Sequence, residues 1–332
     1  MKRRIKIVNS NSTVRGSTCV HTMKPMNRGG IVYPPSGNRI VQNKPYTPIP
    51  VASINESISF KAKPGTHKVA FMFLTLESLH HGKRWHKFLE DGKDRCTMYS
   101  HPKYPEHIKQ KFLTDSIISR RVPTRWANIS LVKASNLMLV EALKDPDNKF
   151  FMLLSEKCLP LYDFDYTYET MTRQNKSWLF NYKWTGAQNH NRWKNLYKNT
   201  NGIENPLTIR VDQFYKQSQW MVLNRKHAEI IASTMHLAHQ FKSMSAPDEH
   251  YYINILENRV PLFHKENINH PITFVNWVDS QSGNHPLDYQ TVNLDEIRKL
   301  QANEYFKQTI NSSHTEPHLF MRKVPYTATI KD

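Results

Sequence analysis

The sequence predicts an α/β fold, a mixed, mostly parallel sheet with helices on both faces. Three observations carry that expectation. Continuous apolar runs at Val69–Leu74 and Phe150–Leu154 read as strands buried on both faces. Apolar residues recur at helical spacing between them. The chain has 332 residues, 39% of them hydrophobic, enough to bury such a core without disulfide staples.

The elements follow in order. After the first strand, Trp85, Phe88 and Leu89 mark a helix, and Cys96–Tyr99 a second strand ending at His101-Pro102. Asn128 is placed to cap a helix that carries Leu131, Ala134, Met138 and Ala142 on one side. The third strand, Phe150–Leu154, runs into Ser155-Glu-Lys-Cys-Leu-Pro160. Strands are expected at Trp178–Asn181 and Gln219–Leu223, the latter leading into a helix from about Arg225 to Phe241. Ser245 reads as the N-cap of a helix opening through Pro247-Asp-Glu249, and acids in a first turn complement the helix dipole. A late strand at Ile272–Trp277 and a short helix at Asp295–Leu300 complete the pattern. Alternating strands and helices imply a parallel sheet, and ligands then bind beyond the carboxyl ends of the strands, after Leu74, Tyr99 and Leu154.

Composition narrows the classes. No apolar run approaches ~20 residues, so no membrane-spanning segment is expected. Cys19, Cys96 and Cys158 are few, odd in number and far apart, which excludes a disulfide framework and a cysteine-rich zinc site. Lys and Arg number 46 against 28 acids, a net charge of +18 that favours phosphate-bearing partners. Residues 1–65 hold eleven of these cations, one acid and seven of the 19 prolines. They read as a basic, Pro-rich N-terminal arm, extended or partly disordered and suited to a polyanion. Residues 66–332 then form one domain. The absence of a signal or anchor pattern places the expected location in the cytoplasm or a virion rather than the Golgi.

Several segments recur in a specific order. They are Lys68–Thr75, Trp126–Val132 through Phe151–Pro160, Ser218–Arg225, Pro247–Tyr251, Thr273–Trp277, His285-Pro286 and Leu319–Lys323. Over about residues 67–324 this series resembles the core-2/I-branching β-1,6-N-acetylglucosaminyltransferase family, especially its plant branch. The resemblance implies a GT-A-type, Rossmann-like nucleotide-diphosphosugar transferase fold for residues 66–332, with a donor half at about 66–165 and an acceptor half at about 166–332. It also implies inverting transfer of a sugar, most simply GlcNAc, from a UDP-sugar to a glycan hydroxyl, without the Asp-x-Asp metal motif. By the same resemblance Glu249 is the general base, beside Asp248 on the acceptor side. Lys323 with Arg322 faces the diphosphate, and Trp126 and Thr75 lie near the donor. Arg192, Trp193 and Trp277 contact the acceptor. A xylose donor is the nearest alternative.

The residue chemistry bears on each point. An inverting transfer needs a carboxylate to take the acceptor proton and positive charge to stabilise the leaving diphosphate. Lysine is a compact point charge suited to phosphate. Trp126 and Trp277 are equally suited to stacking on a sugar ring and to core packing, and Trp220 reads as core. Two Asp-x-Asp strings occur. Asp145-Pro-Asp147 precedes the third strand, on the wrong edge of the sheet, and Asp163 of Asp163-Phe-Asp165 reads as a helix cap. The segment after that strand, Ser155-Glu156-Lys157, is a poor site for Mg2+ or Mn2+, so no metal and no other cofactor is expected. From another class, a nucleic-acid-binding protein would use the +18 charge and interspersed Trp, Tyr and Arg.

Overall fold

Apolar alternation within one strand builds two cores. In β1 (Lys68–Thr75), Val69, Phe71 and Phe73 enter one hydrophobic cluster, while Ala70, Met72 and Leu74 enter another. The computed structural model describes residues 46–183, 186–277, 279, 285–299 and 316–331.

After β1 come α1 (Gly82–Asp91), β2 (Cys96–Pro102), the short α2 (Lys111–Asp115), α3 (Ile129–Leu143) and β3 (Asn148–Ser155). Next are β4 (Leu159–Pro160), α4 (Phe164–Thr172), β5 (Ser177–Trp178), β6 (Asn181–Lys183), α5 (Ala187–Leu196) and β7 (Tyr215–Gln217). Then β8 (Val222–Asn224) runs into α6 (Arg225–Ser233), followed by α7 (Tyr251–Arg259). The chain closes with β9 (Asn267–Ile268), β10 (Thr273–Val275), β11 (Thr291–Asn293), α8 (Leu294–Lys299), β12 (Phe320–Arg322) and β13 (Thr329–Lys331).

The main sheet has six strands in the order β2-β1-β3-β8-β5-β9. β1 pairs in parallel with both β2 and β3, and β8 joins β3 antiparallel. Trp85, Phe88 and Leu89 of α1 and Phe164 of α4 cover the odd-numbered residues of β1. Val132, Met138 and Leu139 of α3, with Ala228 and Ile231 of α6 and Ile255 of α7, cover the even ones. The expected α/β architecture with helices on both faces is therefore what the chain adopts. A third, smaller core joins β4, β10 and β12 through Leu159, Phe274 and Met321. This small sheet fixes Arg322 at the end of β12.

Local details follow the side chains. The Asn128 side-chain oxygen Oδ1 accepts from the Ser130 N–H at 3.0 Å, capping α3 as its sequence required. Asp163 caps α4 by accepting from Tyr166 N–H at 2.8 Å. Three expectations change. The strand expected over Trp178–Asn181 is split between β5 and β6. The helix expected to reach Phe241 ends at Ser233, because the Thr234 hydroxyl donates to the Ile230 carbonyl at 2.7 Å and the backbone tightens into 3-10 geometry over Met235–Phe241. The helix expected from Ser245 begins only at Tyr251. Ala246 takes a left-handed conformation (φ 49°), and Pro247–Glu249 form a separate 3-10 turn.

Residues 1–45 of the basic arm lie outside the described residues. From Tyr46 onward the segment packs on the body. Tyr46 stacks on Tyr104 with ring centroids 4.1 Å apart, and Ile49 N–H donates to the buried Glu77 carboxylate at 2.7 Å. Ile54 forms a parallel bridge with Gln110, and Ile58 is buried in the core around α1.

Candidate active site

In open α/β sheets ligands bind beyond the carboxyl ends of the strands, and here β1 and β3 of the main sheet end beside β12 of the small one. Thr75 ends β1 buried, and its hydroxyl has no hydrogen-bond partner among the described residues. The turn after β3 carries Glu156 and Lys157. The Glu156 carbonyl accepts from His80 N–H at 3.0 Å, and the Lys157 carbonyl accepts from Val324 N–H at 2.9 Å. These two bonds tie the segments after β1 and β12 to one turn.

Arg322 ends β12 with its guanidinium over the buried Trp220 indole, 4.2 Å from the ring centroid. Burial lowers its pKa, opposed by the charges of Glu156, Asp288 and Asp248. Arg322 thus shares its electrostatic setting with acids of the β3 turn and of the Pro247–Glu249 turn. Lys323 follows, half-buried, and its pKa is lowered by burial and then by Arg322. Lys157 Nζ lies 2.8 Å from Asp288 Oδ1. Burial raises the Glu156 carboxyl above its ordinary value. His285 feels both Lys323 and Asp288, and its ring centroid is 5.5 Å from that of Trp126. Arg322, Lys323 and Lys157 therefore face Glu156 and Asp288 at one edge.

The second half of the site hangs on two left-handed alanines. Ala246 N–H donates to Ala127 O at 3.3 Å, and the residues have φ of 49° and 53°. Such a conformation costs an alanine about 1–2 kcal/mol, so packing must impose it. The bond joins the loop bearing Trp126 to the turn bearing Asp248 and Glu249. Asp248 is buried, and burial followed by the Glu249 charge pushes its carboxyl up to about 7. Glu249 Oε2 lies 3.1 Å from Lys216 Nζ and 3.5 Å from Arg192 Nη1. Arg192, on α5, is buried and also contacts His250 Nε2 at 3.0 Å.

Most of the residues singled out in the sequence come to this region. Asp248, Glu249, Arg192 and Arg322 form one electrostatic group, and Lys323 adjoins it. Trp126 is 69% exposed and Trp277 45%, which removes core packing as the role of either. Trp220 is core on one face and carries Arg322 on the other. Trp193 is not brought into the group. Its indole N–H donates to the Ile209 carbonyl at 2.6 Å, and the ring packs on the helical core. Glu249 lies in a 3-10 turn and not in the first turn of an α-helix. Lys216 and Arg192 surround it instead.

The first aspartates of both Asp-x-Asp strings have local partners. Asp145 pairs with Lys68 at 2.6 Å, before β3, and Asp163 caps α4. Among the described residues no group of three or more His, Cys, Asp or Glu side chains is arranged to hold a metal ion. Lys216 and His250 were not singled out in the sequence. Both act across elements, from β7 and from the residue before α7, and only the adjacency of His250 to Glu249 hinted at either.

A mostly parallel sheet covered on both faces, with carboxylates and cations opposed at its ligand edge, is the architecture of a GT-A-like glycosyltransferase. The family is specified by sequence: the Core-2/I-Branching enzyme profile matches residues 69–304, and the chain belongs to that family. It is also similar to Glycosyltransferase BC10 of Oryza sativa subsp. japonica, 28% identical over 186 residues, or 54% of this chain and 44% of the rice protein. The match thus spans less than half the length of that relative.

Proposed function

We propose that the protein is an inverting glycosyltransferase that moves a sugar, most simply GlcNAc, from a UDP-sugar to a glycan hydroxyl without a divalent metal. The observation that supports this reading best is the setting of Glu249, 3.1 Å from Lys216 Nζ and 3.5 Å from Arg192 Nη1, on a turn whose Ala246 N–H donates to Ala127 in the Trp126 loop. Glu249, the carboxylate suited to proton removal, stands on a turn bonded to the Trp126 loop, and Arg322 and Lys323 at the end of β12 are the cations suited to a diphosphate.

In this reading the acceptor hydroxyl gives its proton to Glu249 as its oxygen attacks the anomeric carbon. The bond from that carbon to the diphosphate oxygen breaks, and the electron pair leaves on the diphosphate. Attack from the face opposite the leaving group inverts the configuration. Lys323 and Arg322 stabilise the charge that develops on the leaving oxygen, the task a metal ion performs elsewhere. Thr75 and Trp126 serve the donor, and Arg192, Trp277 and Asp248 the acceptor. Trp193 acts from behind, by supporting α5.

Thermal unfolding tests the reading. UDP in EDTA is expected to raise the melting temperature of the wild type and to lose most of that effect in Lys323→Ala. Stabilisation only by single-stranded DNA at low salt, or by UDP only with added Mn2+, would reject it.

A further inference from the structure

The imidazole beside the proposed base has its tautomer fixed by its partners. His250 is fully buried, with Nδ1 2.8 Å from the Tyr215 carbonyl oxygen and Nε2 3.0 Å from Arg192 Nη1. A carbonyl only accepts and a guanidinium only donates. Nδ1 therefore carries the proton and Nε2 offers a lone pair. The ring lies flat on Phe214, centroids 4.8 Å apart and planes 7° from parallel, so it has little freedom to turn. Burial, then Arg192, holds its pKa well below the ordinary value, in keeping with a neutral ring.

Arg192 divides its donors. Its Nη1 is 3.0 Å from His250 and 3.5 Å from Glu249 Oε2, longer than the ~2.8 Å of a closed guanidinium–carboxylate bond. We infer that His250 is a positioning residue, an acceptor that draws Arg192 Nη1 away from a closed bond with Glu249 Oε2, so that this oxygen stays open on that side to the acceptor hydroxyl. The same short strand serves both parts, since Tyr215 of β7 fixes the imidazole and Lys216 meets Glu249. The inference rests on Glu249 being the base.

Two substitutions separate this role from simple support of the core. His250→Gln can present an amide oxygen where Nε2 stood. His250→Asn is too short to reach Arg192 but retains a donor for Tyr215. Melting temperature reports folding for both, and UDP release from UDP-GlcNAc reports turnover. His250→Asn is expected to lower kcat roughly 10–100-fold with KM for UDP-GlcNAc within about twofold. His250→Gln should stay within about threefold of wild type. In an Arg192→Ala background, His250→Asn should have no further effect on kcat. Equal losses in the Gln and Asn variants, or additive losses in the Arg192→Ala background, would overturn the inference while Glu249→Gln remained inactive. An active Glu249→Gln would instead remove the base assignment and the inference together. If His250→Asn does not fold, the decision passes to His250→Gln, whose loss of activity at unchanged melting temperature would overturn it.

Discussion

Asp248 and Glu249 are neighbours in sequence with opposite surroundings. Asp248 is closed off from water, whereas Glu249 is partly exposed and flanked by two cations. The folded state raises Asp248 from 3.8 to about 7, so folded protein binds this proton more tightly than unfolded chain. Its contribution to stability is full below pH 3.8 and is lost as pH rises through 7. Asp248→Asn removes that loss. It should exceed wild type in unfolding free energy by about 2–4 kcal/mol at pH 8, with the gap closing by pH 4. Denaturant melts at the two pH values measure this, and an equal gap at both would contradict it. The carboxylates, Arg192 and the Arg322-Lys323 pair were legible in the sequence because the resemblance carries them in order. Lys216 and His250 were not, since hydrophobic periodicity says nothing about which side chains meet across β7 and α7.

Among the elements, those with unbroken apolar runs were the most legible. β1 and β3 lie where expected because every residue must satisfy one of two cores, leaving few competing registers. The caps of α3 and α4 were likewise readable, being local hydrogen bonds. The region 225–251 was not, because Thr234 and Ala246 end and redirect the backbone by tertiary demands that spacing does not encode. Close packing also leaves one sharp test of the fold. Gly92 ends α1 against the ring of Phe164, and a Cβ there would overlap that ring. Gly92→Ala should cost roughly 1–3 kcal/mol from overpacking, measured by urea melts. An unchanged midpoint would show that α4 yields without cost.

At the scale of the whole molecule, the small sheet of β10, β12 and β4 carries Arg322 to the same edge at which β1 and β3 end. Two chain segments remote in sequence, 247–249 and 322–323, thereby share one electrostatic environment. No described helix is long and apolar enough to cross a membrane. Some cations of the body are held in ion pairs, such as Lys157–Asp288 and Lys226–Glu266. Lys157, in the turn after β3, pairs with Asp288, and Arg322 and Lys323 lie in the field of the same acid. The most direct test of the account is turnover of Glu249→Gln in EDTA, followed as UDP released from UDP-GlcNAc, alongside its UDP affinity. The account predicts a fall in kcat of roughly 10²–10⁴ with UDP affinity nearly unchanged. Turnover equal to wild type, or activity that appears only when Mn2+ is restored, would contradict it.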